Sequence, residues 1–315
     1  MELIWDVLRG IGISESVFQF MLVNAILGLS IYVTLYTGMF SLANAGFMAI
    51  GAYVGVICTQ TLGWPLWAGL IAGMVAAGVI ALPLGIPVLR LKDIYLAIAT
   101  IGFGEIVRIV ILNFDQIATD ITGDRVRLTR GALGIKGIPK VTETWHLVLF
   151  LVLAGYFLVR LHRSRFGRAM AAIRQDENVA ATMGINPVYH KTAVFVLSAM
   201  LAGAAGAFSG HLTRIILPTD FGFDRVVDIL AFAVLGGTST WVGPIVGALI
   251  LTALPEMMRF LKQYNQIFNG LILLTVIIYL PGGVVDPAGW RKLWRRLRGK
   301  KPPAPAPALP GGEPS

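Results

Sequence analysis

Glu105 and Arg108 stand three positions apart inside one of the most apolar stretches of this 315-residue chain. That spacing places them on one helix face. Charge in such a run is costly in lipid and tends to turn toward the protein interior. The pair reads as a structural ion pair that orients its helix, and the functional alternative is a lining for a solute path. Little else in the chain could do chemistry. The histidines are His146, His162, His190 and His211, and none forms a His-Glu-x-x-His pattern or lies near Cys58, the single cysteine. One cysteine allows no intrachain disulfide and no cysteine-based metal site. No Gly-x-x-x-x-Gly-Lys-[Ser/Thr] occurs, so the chain carries no such phosphate cradle. No catalytic residue, metal or cofactor is expected, and any ATP-driven work must borrow an ATPase.

A second set of residues could bind a partner. The stretch 164–191, SRFGRAMAAIRQDENVAATMGINPVYHK, is the main polar interruption between two apolar runs. Residues 168–183 contain no helix breaker. Asp176, Glu177 and Asn178 can open a second short helix at Asn178 or just before it. Gly184 supplies a stop and Pro187 prevents continuation. Two alanines and a glycine, Ala180, Ala181 and Gly184, let another protein's backbone come close. The stretch therefore reads as a docking element for a soluble partner, with an ordinary loop as the plain alternative. A hydrolase reading would rest on Gly206-Ala-Phe-Ser209-Gly210-His211, which is similar to the Gly-x-Ser-Gly of intramembrane serine proteases. It has one residue too many, and His211 is too close to Ser209 to be a partner from a separate helix.

These groups need a frame, and composition supplies it. The chain is 56% hydrophobic and 14% charged, far from a soluble domain. Continuous apolar runs reach the roughly 20 residues of a bilayer helix, and they do not alternate as barrel strands do. The expected fold is all-α, a polytopic transmembrane helical bundle of about 8–10 membrane segments, some broken or re-entrant. Residues 1–15 form a lead-in, and Glu2, Asp6, Arg9 and Glu15 argue against a cleavable signal peptide. Residues 16–285 form the membrane domain, with a cytoplasmic loop at 164–191 and an external loop at 115–144. Residues 286–315 form a tail, basic and then rich in Pro and Ala, which is expected to be disordered. The spans are expected at 17–37, 41–62, 65–89, 94–114, 145–161, 192–215 and 267–280, with a glycine-cut apolar region at 226–258.

The formal charge of +9 does not mark a nucleic-acid binder, because the basic residues flank spans. The loop at 164–191 with its flanks, and the tail, hold half of the 26 Lys and Arg. Both belong in the cytoplasm, so an even number of crossings separates them. The region 226–258 must then be a re-entrant hairpin or two short spans. The turn at Arg90, Lys92 and Asp93 is also cytoplasmic, which puts 115–144 and the N-terminus outside. Two apolar runs break in a related way. Gly38-Met-Phe-Ser-Leu-Ala-Asn-Ala-Gly46 resembles Gly237-Thr-Ser-Thr-Trp-Val-Gly243, each resuming as a small-residue helix. Transporters place solute sites at paired breaks. Ser41, Asn44, Ser239 and Thr240, with Glu105 and Arg108, are therefore the candidate translocation path.

The words SRFGRAMAAIRQDENVAATMGI, KTAVFVLSAMLAGAAGA and LAFAVLGGTSTWVGPIVGAL resemble the branched-chain (hydrophobic) amino acid ABC transporter permease family, its M-type subunit in particular. The resemblance spans about residues 17–285. It implies that Arg168, Arg174, Glu177, Ala180, Ala181 and Gly184 couple to ATPases. It implies an H-type permease subunit, two ABC ATPase subunits, an extracytoplasmic substrate-binding protein and a small amino acid as substrate. It also implies a bacterial inner-membrane location, contact with membrane lipid and no nucleic acid. Where the family commonly has Gly-His, this chain has Ala43-Asn44, and the outer loop is longer and more basic. These departures leave urea or short amides as the alternative cargo and an intramembrane hydrolase as the distant one.

Overall fold

The computed structural model of the chain describes residues 14–91, 93–123, 127–257, 270, 274, 278 and 283–285. Among these, ten α-helices carry the fold: α1 Glu15–Tyr36, α2 Asn44–Gln60, α3 Leu66–Val88, α4 Asp93–Thr122, α5 Thr144–Arg163, α6 Arg165–Gln175, α7 Glu177–Thr182, α8 Pro187–Thr213, α9 Phe223–Gly236 and α10 Val242–Met257. Five are long and apolar enough to cross a membrane, within α1, α3, α4, α5 and α8. The lead-in, most of the expected span at 267–280 and the tail lie outside the described residues.

Small residues set the centre of the bundle. α8 packs against α1, α2 and α3. At one level Gly51, Gly73 and Gly203 meet: a Cβ on Gly51 would lie 2.1 Å from the carbonyl oxygen of Gly203, and one on Gly73 would lie 2.7 Å from that of Gly51. Without side chains these backbones touch, the usual route to tight helix association in lipid.

Contacts along the helices fix their directions. Asn44 meets Ser198 and Thr59 meets His211, so α2 and α8 run parallel. Gln19 meets Thr144 and Tyr32 meets His162, so α1 and α5 run parallel. The short strands β1 Ile135–Lys136 and β2 Ile215–Ile216 pair antiparallel, which joins the loop after α4 to the end of α8. The 115–144 loop, the end of α8 and the start of α1 thus share one face. The turn before α4 and the loop at 164–191 share the other, because Leu89, Leu91, Arg174 and Lys191 line one cavity. These are the faces that charge leads one to expect outside and in the cytoplasm, respectively.

Two boundaries differ from expectation. α4 runs to Thr122 and not to 114, since Asp115 stays helical and its carboxylate accepts the backbone N–H groups of Leu128, Thr129 and Arg130 at 2.7–2.9 Å. The loop is thereby folded back onto the helix. α8 begins at Pro187, five residues before the expected 192. Asn186 caps it by accepting the Tyr189 N–H at 3.1 Å, and a proline is well suited to the first turn.

The interrupted region is a re-entrant hairpin. α9 enters from the outer face, ends at Gly237 (φ 90°), and α10 returns. Glycine backbones zip it together: a Cβ on Gly236 would lie 1.8 Å from the Gly243 carbonyl oxygen, and one on Gly247 would lie 2.1 Å from that of Phe232.

Candidate functional site

The face expected in the cytoplasm carries α6 and α7. Ser164 caps α6 by accepting the Gly167 N–H at 3.3 Å. Asp176, in an extended conformation, breaks the run and caps α7 by accepting from Asn178 at 2.8 Å and Val179 at 3.0 Å. A residue that can bond the next turn's free N–H groups ends one helix and starts another. Gly184 adopts φ 83°, and the Ile185 N–H returns to the Ala180 carbonyl at 3.1 Å, a glycine-dependent stop. Lys191 donates to Glu177 and ties α7 to α8.

The six predicted coupling residues separate into two roles here. Arg168, Arg174, Ala181 and Gly184 are exposed, and nothing lies within 4 Å of a Cβ placed on Gly184. Ala180 is buried against the bundle and Glu177 is half-buried in its ion pair. Val179, Met183, Val188 and Tyr189 surround the exposed set with uncovered apolar surface. Sequence reasoning did not single these four out, although their spacing around Ala181 and Gly184 was visible.

The first break follows the end of α1. Gly38 (φ 83°) turns against Arg174, with a Cβ there reaching the Arg174 Cα at 3.4 Å. The chain then runs without regular secondary structure through Met39 and Ser41 to α2, buried throughout except for Phe40. Irregular backbone at membrane depth must be satisfied by protein. The Leu42 N–H is taken by Thr100 Oγ1 at 2.9 Å. Asn44 Nδ2 donates to Ser30 Oγ at 2.7 Å and Ser198 Oγ at 3.0 Å, and Ser198 donates to the Ser30 carbonyl at 2.7 Å. Ser198 sits roughly 16 Å along α8 by helix rise. Ser41 Oγ is buried and has no hydrogen-bond partner.

The second break, Gly237 to Trp241, holds Ser239 exposed and Thr240 Oγ1 buried without a partner. The two breaks do not share a cavity. Ser30 of α1 meets Asn44, whereas Gly28 of α1 meets Pro244, where a Cβ would lie 2.8 Å from the carbonyl oxygen. Residues two apart on a helix face nearly opposite ways, so α1 stands between the breaks.

Glu105 and Arg108 do pair, with Arg108 Nε at 2.9 Å and Nη2 also on Glu105 Oε1. They do not turn inward. Their side chains are 44% and 24% exposed, on a face of α4 that shows Ile98, Gly102, Ile106 and Ile109 outward. α4 meets the bundle at Gly104, whose Cα lies 2.9 Å from a Cβ placed on Gly46, which leaves Glu105 toward the uncovered side while the Arg108 Cδ lies 3.9 Å from a Cβ placed on Gly222.

One polar cluster was missed. Arg225 Nη2 donates to Asn24 Oδ1 at 2.7 Å, and Asn24 Nδ2 donates to Thr252 Oγ1 at 2.9 Å. The sequence signal was an isolated Asn in an otherwise apolar span and the Asp224-Arg225…Asp228 spacing at the mouth of the second interrupted run. His211 accounts for itself structurally. Its Nδ1 meets the Ala207 carbonyl at 2.7 Å and its Nε2 meets Thr59 Oγ1 at 2.8 Å, which leaves both ring nitrogens engaged away from Ser209. No group of three potential metal ligands occurs among the described residues.

Comparison with known proteins agrees with this architecture. The family described as branched-chain amino acid transport system / permease component matches residues 12–280. The high-affinity branched-chain amino acid transport system permease protein LivM of Escherichia coli is 35% identical over 294 residues, covering 82% of this chain and 66% of the relative. LivM of Salmonella typhimurium is 34% identical over 283 residues with the same coverage. A probable branched-chain amino acid transport permease protein LivH of Methanocaldococcus jannaschii is 25% identical, covering 89% of this chain and 93% of the relative. The chain thus spans about two thirds of the length of the LivM relatives. No solved structure matches.

Proposed function

We propose, from the premise that this chain belongs to the branched-chain amino acid transport permease family, that it forms half the membrane pore of an ATP-driven importer. The cargo is leucine, isoleucine, valine or a similar small amino acid. The chain performs no bond chemistry; two ABC ATPase subunits dock on its cytoplasmic face and supply the energy. An H-type permease completes the pore, and an extracytoplasmic binding protein delivers solute in the bacterial inner membrane. The outward α4 face supports the paired permease, because a carboxylate 44% exposed, with its guanidinium partner 24% exposed, would be costly facing lipid.

The observation that carries this reading is the α7 surface. Ala181 and Gly184 are uncovered within an apolar rim on the cytoplasmic face, and α6 below them touches the first break through Arg174 and Gly38. A docked ATPase can therefore move the segment that leads to Ser41 and Asn44. The departure at Asn44 needs no other cargo to explain it, since both its N–H groups hold α1 to α8. Ala181→Trp tests the assignment. A bulky side chain cannot enter a close interface without strain, so the assembled transporter should keep its thermal stability and lose the stimulation of ATP hydrolysis by loaded binding protein. Ala180→Trp is the folding control, because Ala180 is 3% exposed. Unchanged uptake in Ala181→Trp would remove α7 as the docking element.

A further inference from the structure

A cavity of about 310 Å³ opens between the outer ends of α1, α8 and α9 and reaches down to Met48 in the first turns of α2. That volume is at the lower end of small-molecule sites, roughly 300–1,000 Å³. Its two sides differ. Phe20, Met48, Ile216 and Phe221 give an apolar wall, and Arg225 stands opposite with Asp228 and Asp224 on the first turns of α9.

Arg225 and Asp228 have the same i,i+3 spacing as Glu105 and Arg108, yet they are not closed. The nearest approach, Nη1 to Oδ2, is 3.9 Å, and Asp228 is 54% exposed. Arg225 is held instead through Asn24, which Thr252 steadies from α10. A guanidinium and a carboxylate thus line the cavity in a long ion pair, 3.9 Å apart at their nearest, with apolar residues beside them.

We propose that this cavity is a low-affinity site for the zwitterionic head and apolar side chain of an α-amino acid entering from outside. The cargo carboxylate bonds Arg225, its ammonium bonds Asp228, and its side chain lies on Met48 and Phe221. An α-amino acid carries opposite charges on neighbouring groups, so it fits a cation and an anion a few ångströms apart better than an amine or an acid alone does. The choice of probe rests on the amino acid reading above.

The test uses the full chain in lipid nanodiscs, with Cys58→Ser and Thr219→Cys, since Thr219 lines the cavity. For a site of millimolar affinity, ~20 mM leucine should slow alkylation of Thr219→Cys by roughly tenfold. Isoamylamine and 4-methylpentanoate, each with one of the two charges, should leave the rate nearly unchanged. Asp228→Asn and Arg225→Gln should each abolish protection without changing the rate in the absence of leucine. If Arg225→Gln unfolds, Asp228→Asn decides alone. Equal protection by all three compounds, protection by sodium ions at matched ionic strength, or none, overturns the site. Leucine uptake by the assembled transporter is scored separately. Uptake without protection sinks the site and leaves the function standing, and protection without uptake does the reverse.

Discussion

The two helix breaks look alike in sequence and are held in opposite ways. At the first, side chains do the holding: Thr100 takes a backbone N–H, and Asn44 bridges Ser30 and Ser198. At the second, backbone does it. Gly236, Gly243 and Gly247 bring the two arms of the hairpin into contact, and the N–H groups of Val284 and Val285 take the carbonyls of Leu235 and Gly236 at 2.8 and 3.2 Å. The first break also rests on the cytoplasmic face through Gly38 and Arg174, while Trp241 of the second rests on Gly155 of α5. A break held by side chains beside a docking surface can be moved by that surface. A break zipped by glycine backbone moves only as a unit.

The largest effect should come from adding one methyl group to the backbone-held break. Gly236→Ala places a Cβ 1.8 Å from a carbonyl oxygen, and no rotamer change can relieve that. Its thermal unfolding midpoint should fall by the equivalent of about 3 kcal/mol, the upper end of ordinary overpacking. Gly38→Ala meets nothing closer than 3.4 Å and bears mainly the strain of φ 83°, about 1 kcal/mol. Equal losses would erase the distinction. Asn44→Ala should come between them, at about 2 kcal/mol, because two buried hydrogen bonds go and two hydroxyls lose a partner. Ser239→Ala, exposed at the tip of the second break, should change stability by less than about 0.5 kcal/mol.

Much of this contrast was legible beforehand, and the limits have physical causes. The breaks at Gly38 and Gly237 and the stop at Gly184 were readable because a positive φ selects glycine locally. The hairpin at 226–258 was one of two readings that charge left open, because charge sorts by side of the membrane. Where a side chain points was not. Glu105 and Arg108 read as a pair from their spacing, but that Glu105 stays 44% exposed while Arg108 packs near Gly222 follows from the contact of Gly104 with Gly46, which no local pattern encodes. Asn24 joins Arg225 from 201 positions away, and no local pattern encodes that meeting. The separation of Ala180 from Ala181 needed the fold as well, since adjacent helix positions point about 100° apart.

The smallest effect on stability is the most informative about transport. Three buried side-chain oxygens among the described residues lack a partner, and two of them, Ser41 Oγ and Thr240 Oγ1, sit one at each break. Neighbouring buried hydroxyls such as Ser30, Thr100 and Ser198 are all bonded. An unpartnered buried hydroxyl lowers stability, so removing it should leave the fold unchanged or firmer by up to about 1 kcal/mol. Ser41→Ala and Thr240→Val should therefore unfold no earlier than the parent chain. If these hydroxyls meet the cargo as it passes, uptake by the assembled transporter should fall even as stability holds, and a folding defect could not produce that combination. The hydroxyl in the movable break should matter more, so Ser41→Ala should slow uptake further than Thr240→Val. Full uptake in both variants would take Ser41 and Thr240 off the translocation path, and a larger loss in Thr240→Val would reverse the order of the two breaks.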